Sequence, residues 1–130
     1  MARIDSFLRL VAEQQASDLH FHSGNPPIIR HDGDLMPLPF RMLSRDEVRR
    51  FVFEILTPEQ KEEFERTNEL DLIYVMEGVG RFRTNLLVQS HGIGAVFRII
   101  PERLPDLDQL MFPRAIRKLT QLQNGLVLMC

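Results

Sequence analysis

Cysteine is all but missing: Cys130, the last residue, is the only one in a chain of 130. That excludes a disulfide framework and makes a reducing compartment the expectation. Neither sign of charge dominates. Sixteen basic and 18 acidic residues leave a formal net charge of −2, and no block of like charge offers a nucleic-acid footprint. Long apolar runs are absent too, none approaching the ~20 residues that a spanning helix needs. The opening MARIDSFLRLVAEQQ is too polar and too acidic for a signal or transit peptide. These absences predict a cytoplasmic protein with no direct membrane insertion. There is no internal repeat, and the length suits one domain with a modest core.

What is present is a succession of short, well-punctuated elements. Ile4, Phe7, Leu8, Val11 and Ala12 recur at helical spacing, which predicts an amphipathic helix over about Ala2 to Gln15. Asp18 to Phe21 reads as a strand, and Ile28 to His31 as a second. Asp32-Gly33 is a strong hairpin signal, because a primed turn needs positive φ; it returns the chain as a third strand to Leu38. Ser44-Arg45-Asp46-Glu47 and Thr57-Pro58-Glu59-Gln60 are two capping boxes, the second with proline at the first helical position. Each predicts a helix. Glu69 to Met76 then reads as a strand that leads into Gly80–Pro101.

That stretch, GRFRTNLLVQSHGIGAVFRIIP, organises the chain. It reads as strands Arg81–Val88 and Ala95–Ile100 joined by a glycine-bearing loop over Gln89–Gly94, completing a three-stranded meander. Each strand carries an arginine inside an apolar pattern, Arg83 and Arg98, and closing the hairpin brings the two close together. Like charges across a sheet repel unless something answers them. The answer is either an internal carboxylate, Glu69 or Asp71 on the neighbouring strand, or an external polyanion such as phosphate, which arginine grips through its planar fork. Composition alone favours the carboxylate. The apolar character of both sheet faces predicts helices over one and some other covering over part of the other.

Asp18, His20 and His22 alternate and so share a strand face. Two histidines and a carboxylate could hold zinc, but no cysteine or further histidine pair supports a metal site. Hydrogen bonds from the rings to a backbone carbonyl or a carboxylate are the expected role. After Pro101 the stretch PERLPDLDQLMFP predicts an ordered linker. Arg114 to Gln123 predicts a helix with Ile116 and Leu119 inward. Gly125 to Cys130 is a continuous apolar run of the kind buried in parallel sheets, expected to be unsatisfied without neighbours.

In order along the chain, ASDLH, PP-I-R-DGD, GRFR-N, GAVFR-IP and GLVL resemble the amino-terminal domain of the PilT-like type IV pilus retraction ATPases, in the secretion ATPase family. The resemblance implies an α+β fold: a PAS-like domain over 1–101, with a mostly antiparallel sheet and helices packed on it. A linker over 102–112 follows, and 113–130 is implied to be the first helix and strand of a RecA-like domain, stopping before a phosphate-binding loop. It implies ATP and Mg²⁺ as cofactors of a longer parent, a homohexameric ring, a pilus inner-membrane platform protein as partner, and a peripheral position at that membrane. Arg83 and Arg98 are then the expected arginine fingers and Arg81 a third cofactor-binding candidate, which reverses the preference from composition. The 130 residues contain no G-x-x-x-x-G-K-[ST] loop, so ATP hydrolysis is not expected from them alone. The chain's direct start on this domain points to retraction rather than extension or type II secretion. His22 and Met129-Cys130 depart from the family pattern. The alternative is a free-standing PAS-like sensor or interaction domain, which calls for an enclosed apolar pocket holding a small ligand.

Overall fold

The capping boxes set the helices. The computed structural model describes residues 2–101 and 106–128. Glu47 N–H donates to the Ser44 hydroxyl while the Glu47 carboxylate accepts from the Ser44 N–H, and Gln60 does the same with Thr57. These open α2 (Arg45–Phe53) and α3 (Pro58–Thr67); α3 stops at Asn68, in the left-handed conformation at φ 59°. The apolar stripe near the start forms α1 (Asp5–Glu13). The strands are β1 (Asp18–His22), β2 (Ile28–His31), β3 (Asp34–Pro37), β4 (Glu69–Met76), β5 (Gly80–Gln89) and β6 (Gly92–Ile100). The β2–β3 turn is the expected one, with Asp32 at φ 48° and Gly33 at φ 91°.

All six strands join one sheet in the order β3-β2-β1-β6-β5-β4, every neighbouring pair antiparallel. The first strand thus lies beside the last; α1 precedes the sheet, and α2 and α3 sit in the connection between the two hairpin-built halves. Strand alternation then divides the side chains. Leu19, Phe21, Phe82, Leu86, Ala95 and Phe97 point to one face and join Leu8, Val11, Val48, Val52 and Phe64 from the helices in a single buried cluster. Phe21 lies edge-on to Phe7 of α1 and stacks on Phe51 of α2, so the aromatic rings bind two helices to the middle of the sheet.

The loop expected over Gln89–Gly94 is shorter than that. Gln89 pairs with Gly92, leaving a two-residue turn of Ser90 and His91. Arg45 at the start of α2 holds it, donating Nε to the His91 carbonyl and Nη2 to the Ser90 carbonyl, each at 2.7 Å. Gly92, at φ 123°, supplies the positive φ that closes the turn, and both glycines also serve close approach. A Cβ on Gly94 would stand 2.5 Å from His22 Nδ1, and one on Gly92 would stand 2.8 Å from both Arg45 Cγ and Ser23 Oγ. Gly94→Ala is therefore expected to destabilise the domain by about 1–3 kcal/mol, the range for overpacking. Urea unfolding checks this; an unchanged midpoint would show that His22 moves aside freely.

The carboxy-terminal expectations need correction. The helix is shorter, α4 (Arg114–Leu119), and buries none of its residues; Leu119 is exposed and Ile116 only half-buried. Residues 125–128 form no strand, and Leu126 and Leu128 are 81% and 77% exposed, the unsatisfied state expected of this run without neighbours. An apolar run becomes a strand only against partner backbone, and none of the six strands pairs with it. The last two residues of the expected strand, and the linker's 102–105, lie outside the described residues. Within the rest of the linker, Asp106 Oδ1 accepts from the Asp108 and Gln109 N–H groups, making a local turn.

Candidate functional site

The helices cover one face of the sheet and leave the other open. The same alternation that sends Phe82 and Phe97 inward sends Arg83 and Arg98 outward, and the register places these two directly opposite each other. Following the ladders, one row crosses the open face as Arg30 on β2, Asp18 on β1, Arg98 on β6, Arg83 on β5 and Ile73 on β4. The neighbouring row holds His20, Val96, Asn85 and Asp71. Between them lies an open hollow of about 380 Å³ lined by Asp71, Arg83, Asn85, Val96 and Arg98. Arg81, two residues along β5 and opposite Ile100, is exposed and does not line it.

Each arginine of the central pair has a different answer. Arg98 donates Nε to Asp18 Oδ1 at 2.7 Å. Arg83 stands 3.9 Å from Asp71, both side chains more than half exposed, a contact of little energetic weight. Of the two carboxylates expected from sequence, Asp71 does face Arg83, while Glu69 forms no ion pair among the described residues. Asp18 was the missed partner. Its only sequence signal was sharing a strand face with the histidines, which suggests a metal ligand; the partner across the sheet becomes visible only once β1 is known to pair with β6. Burial pushes the Asp18 carboxyl up, but hydrogen bonds from Arg98 and Ser17 and the charges of Arg98 and His20 outweigh it and hold the group below the ordinary carboxylate range. It is an anion at neutral pH, and the site carries the surplus of cationic donors that suits an anion.

The histidines do not hydrogen-bond as expected. His20 and His22 stack with ring centroids 6.0 Å apart, and their buried Nε2 and Nδ1 atoms respectively have no hydrogen-bond partner. No group of three ligating side chains converges to hold a metal among the described residues. Burial depresses both imidazoles, which disfavours the charged form; Arg30 and Arg98 add to this at His20, and His20 adds to it at His22. A folded-state value below the ordinary 6.5 means that the unfolded chain takes up protons first as pH falls. The stability these rings contribute is thus full above about pH 6.5 and lost on acidification below it. The melting temperature is expected to fall between pH 7 and pH 5, and less so in a His20→Gln, His22→Gln double variant. An equal fall in both would assign the loss to other groups.

Pseudomonas aeruginosa PilT, a type IV pilus retraction ATPase, is 36% identical over 125 residues, which is 96% of this chain and 36% of that protein. The chain is a PilT-like amino-terminal domain. The type IV pilus ATPase PilU of the same organism is 32% identical over 95% of the chain and 32% of its own length. Among solved structures, the PilT-like domain superposes on the pilus retraction motor PilT with bound ADP at a TM-score of 0.75 and 26% identity, covering 92% of this chain and 35% of that one. The Legionella pneumophila ATPase DotB gives 0.77 and 25%, covering 94% and 35%. No family model matches the chain. The PilT-like domain therefore spans about a third of the length of these relatives. No helix among its described residues is long and apolar enough to cross a membrane.

Proposed function

We propose that this domain is the amino-terminal module of a homohexameric cytoplasmic ATPase that drives pilus retraction, and that its open sheet face delivers Arg83 and Arg98 to the phosphates of a bound nucleotide. The observation that carries this reading is the register itself: two arginines directly opposite each other on the face the helices leave uncovered. Repulsion between them is only partly answered from within, and a polyphosphate would answer the remainder. Arg81 flanks the pair as a third contact. The parent would bind ATP with Mg²⁺ on a RecA-like domain, and closure of this module over it would place the guanidinium groups where charge develops during phosphoryl transfer.

In the same reading, residues 1–101 are a PAS-like domain. Its support is the placement of α2 and α3 between two sheet halves, with the first strand beside the last. Residues 102–112 are the linker, and 113–130 belong to the RecA-like domain, whose sheet would supply the partners that the exposed Leu126 and Leu128 lack here. A pilus inner-membrane platform protein would hold the ring at the membrane. The free-standing ligand-binding alternative calls for an enclosed apolar pocket, whereas the hollow between the arginines is open and charged.

The test is to express the reading frame through a G-x-x-x-x-G-K-[ST] loop and assay it beside the 130-residue chain. The longer protein is expected to assemble as a hexamer and hydrolyse ATP with Mg²⁺, and the short chain to do neither. A longer protein that assembles but neither binds nor hydrolyses ATP would overturn the proposal.

A further inference from the structure

The two central arginines are held very differently. Asp18 is almost fully buried, its side chain 3% exposed, whereas that of Arg98 is 69% exposed. The carboxylate grips the arginine at its root, through Nε, and the outer Nη groups, with four of the five guanidinium donors, extend toward solvent over the hollow. Asp18 is itself fixed. Its Oδ2 accepts from the Ser17 hydroxyl at 2.8 Å and faces Arg30 Nε at 3.5 Å, and Arg30 is tied in turn through Nη1 to the Gly33 carbonyl at 2.8 Å. Among the described residues nothing comparable restrains Arg83, whose contact with Asp71 is long and solvent-exposed. One arginine is mounted and the other is free to swing.

Resting on the nucleotide reading above, we propose that Asp18 is a positioning residue that holds Arg98 by Nε and aims its free Nη edge at an incoming phosphate. The ordering of a long side chain is then complete before the anion arrives. That entropy otherwise weakens binding by about threefold to tenfold per immobilised side chain. The Ser17–Asp18–Arg30 network keeps the mount in place, and Arg83 closes from the opposite strand once the anion is seated.

Positioning and simple electrostatics predict opposite signs for the loss of Asp18. Removing a carboxylate beside an anion site makes the site more positive, so charge alone predicts tighter binding for Asp18→Ala. Positioning predicts weaker binding. The experiment is a titration of the ¹⁵N-labelled chain with inorganic tripolyphosphate, following the arginine side-chain Nε–H signals. In the unmodified chain we expect saturable binding, with an Arg98 Nε–H that exchanges slowly before and after the anion is added. Asp18→Ala is expected to weaken binding about threefold to tenfold and to abolish the slow Arg98 signal. Arg83→Ala is expected to weaken binding while leaving that signal intact. Equal or tighter binding by a folded Asp18→Ala chain, with Arg83→Ala still weakened, would overturn the positioning role and leave the phosphate site standing. No saturable binding by the unmodified chain would overturn the phosphate site, and this inference with it. Should Asp18→Ala fail to fold, Ser17→Ala decides: it keeps the carboxylate but loosens it, so binding should weaken in the same direction, and unchanged binding would count against the mount.

Discussion

Arg83→Ala in the complete ATPase is expected to lower kcat by about 10³-fold or more, the scale seen for arginine fingers in phosphoryl transfer, with the domain folded and the ring assembled. Such a loss is about 4 kcal/mol of transition-state stabilisation. Arg83 is the cleaner of the two probes, because its side chain is 68% exposed and its 3.9 Å contact with Asp71 is weak. Its removal should shift stability by no more than about 0.5 kcal/mol. Arg98→Ala should lose turnover to a similar extent and stability as well, since it leaves the buried Asp18 carboxylate with the Ser17 hydroxyl and the more distant charge of Arg30 at 3.5 Å. Steady-state turnover, size-exclusion chromatography and thermal melts on the same samples separate the two effects. Unchanged turnover in both variants would reduce the arginines to surface partners of Asp18 and Asp71.

Phe97→Ala is expected to remove a large share of the domain's stability. Phe97 is fully buried at the middle of β6, with Leu19 and Thr84 as its neighbours across the two ladders. Truncating a buried phenylalanine costs about 3–5 kcal/mol, against a total of about 5–15 kcal/mol for an ordinary domain. Ile73→Ala, on the open face and 52% exposed, removes an apolar side chain with little burial to lose and should cost no more than about 0.5 kcal/mol. Urea unfolding of the two variants would compare the two faces of the sheet. Similar losses would mean that the open face is covered by something in solution.

Much of the fold is written locally, and that part was legible. Capping boxes at Ser44 and Thr57, the Asp32-Gly33 turn and the alternation along β4, β5 and β6 each state their structure within a few residues. The pairing of Arg83 with Arg98 followed from hairpin closure, although the assumed loop was too long. Gly92 does carry the positive φ of a turn residue, but Gly94 does not, and the crowding at both comes from Arg45, Ser23 and His22, which approach from remote parts of the chain. Asp18 was missed for the same reason. Its partner Arg98 lies eighty residues away in sequence, and no local pattern encodes that contact. The unpartnered ring nitrogens of His20 and His22 contradict the usual expectation that a buried polar atom is bonded. The apolar run at Gly125 shows the opposite limit: its composition suits a strand, but a strand also requires neighbours.

The adjacency of β1 and β6 also governs the order in which the domain can form. The meander of β4, β5 and β6 closes through short turns, and the hairpin of β2 and β3 through two residues. The ladder that unites them joins Asp18–His22 to Gly94–Arg98, so it waits on the longest loop closure in the sheet. During synthesis, the amino-terminal hairpin and all three covering helices emerge from the ribosome before the central strand they surround. The sheet can close only after residue 98 has cleared the exit tunnel, and Leu19 and Phe21 lack their cross-strand partners until Phe97 and Ala95 arrive.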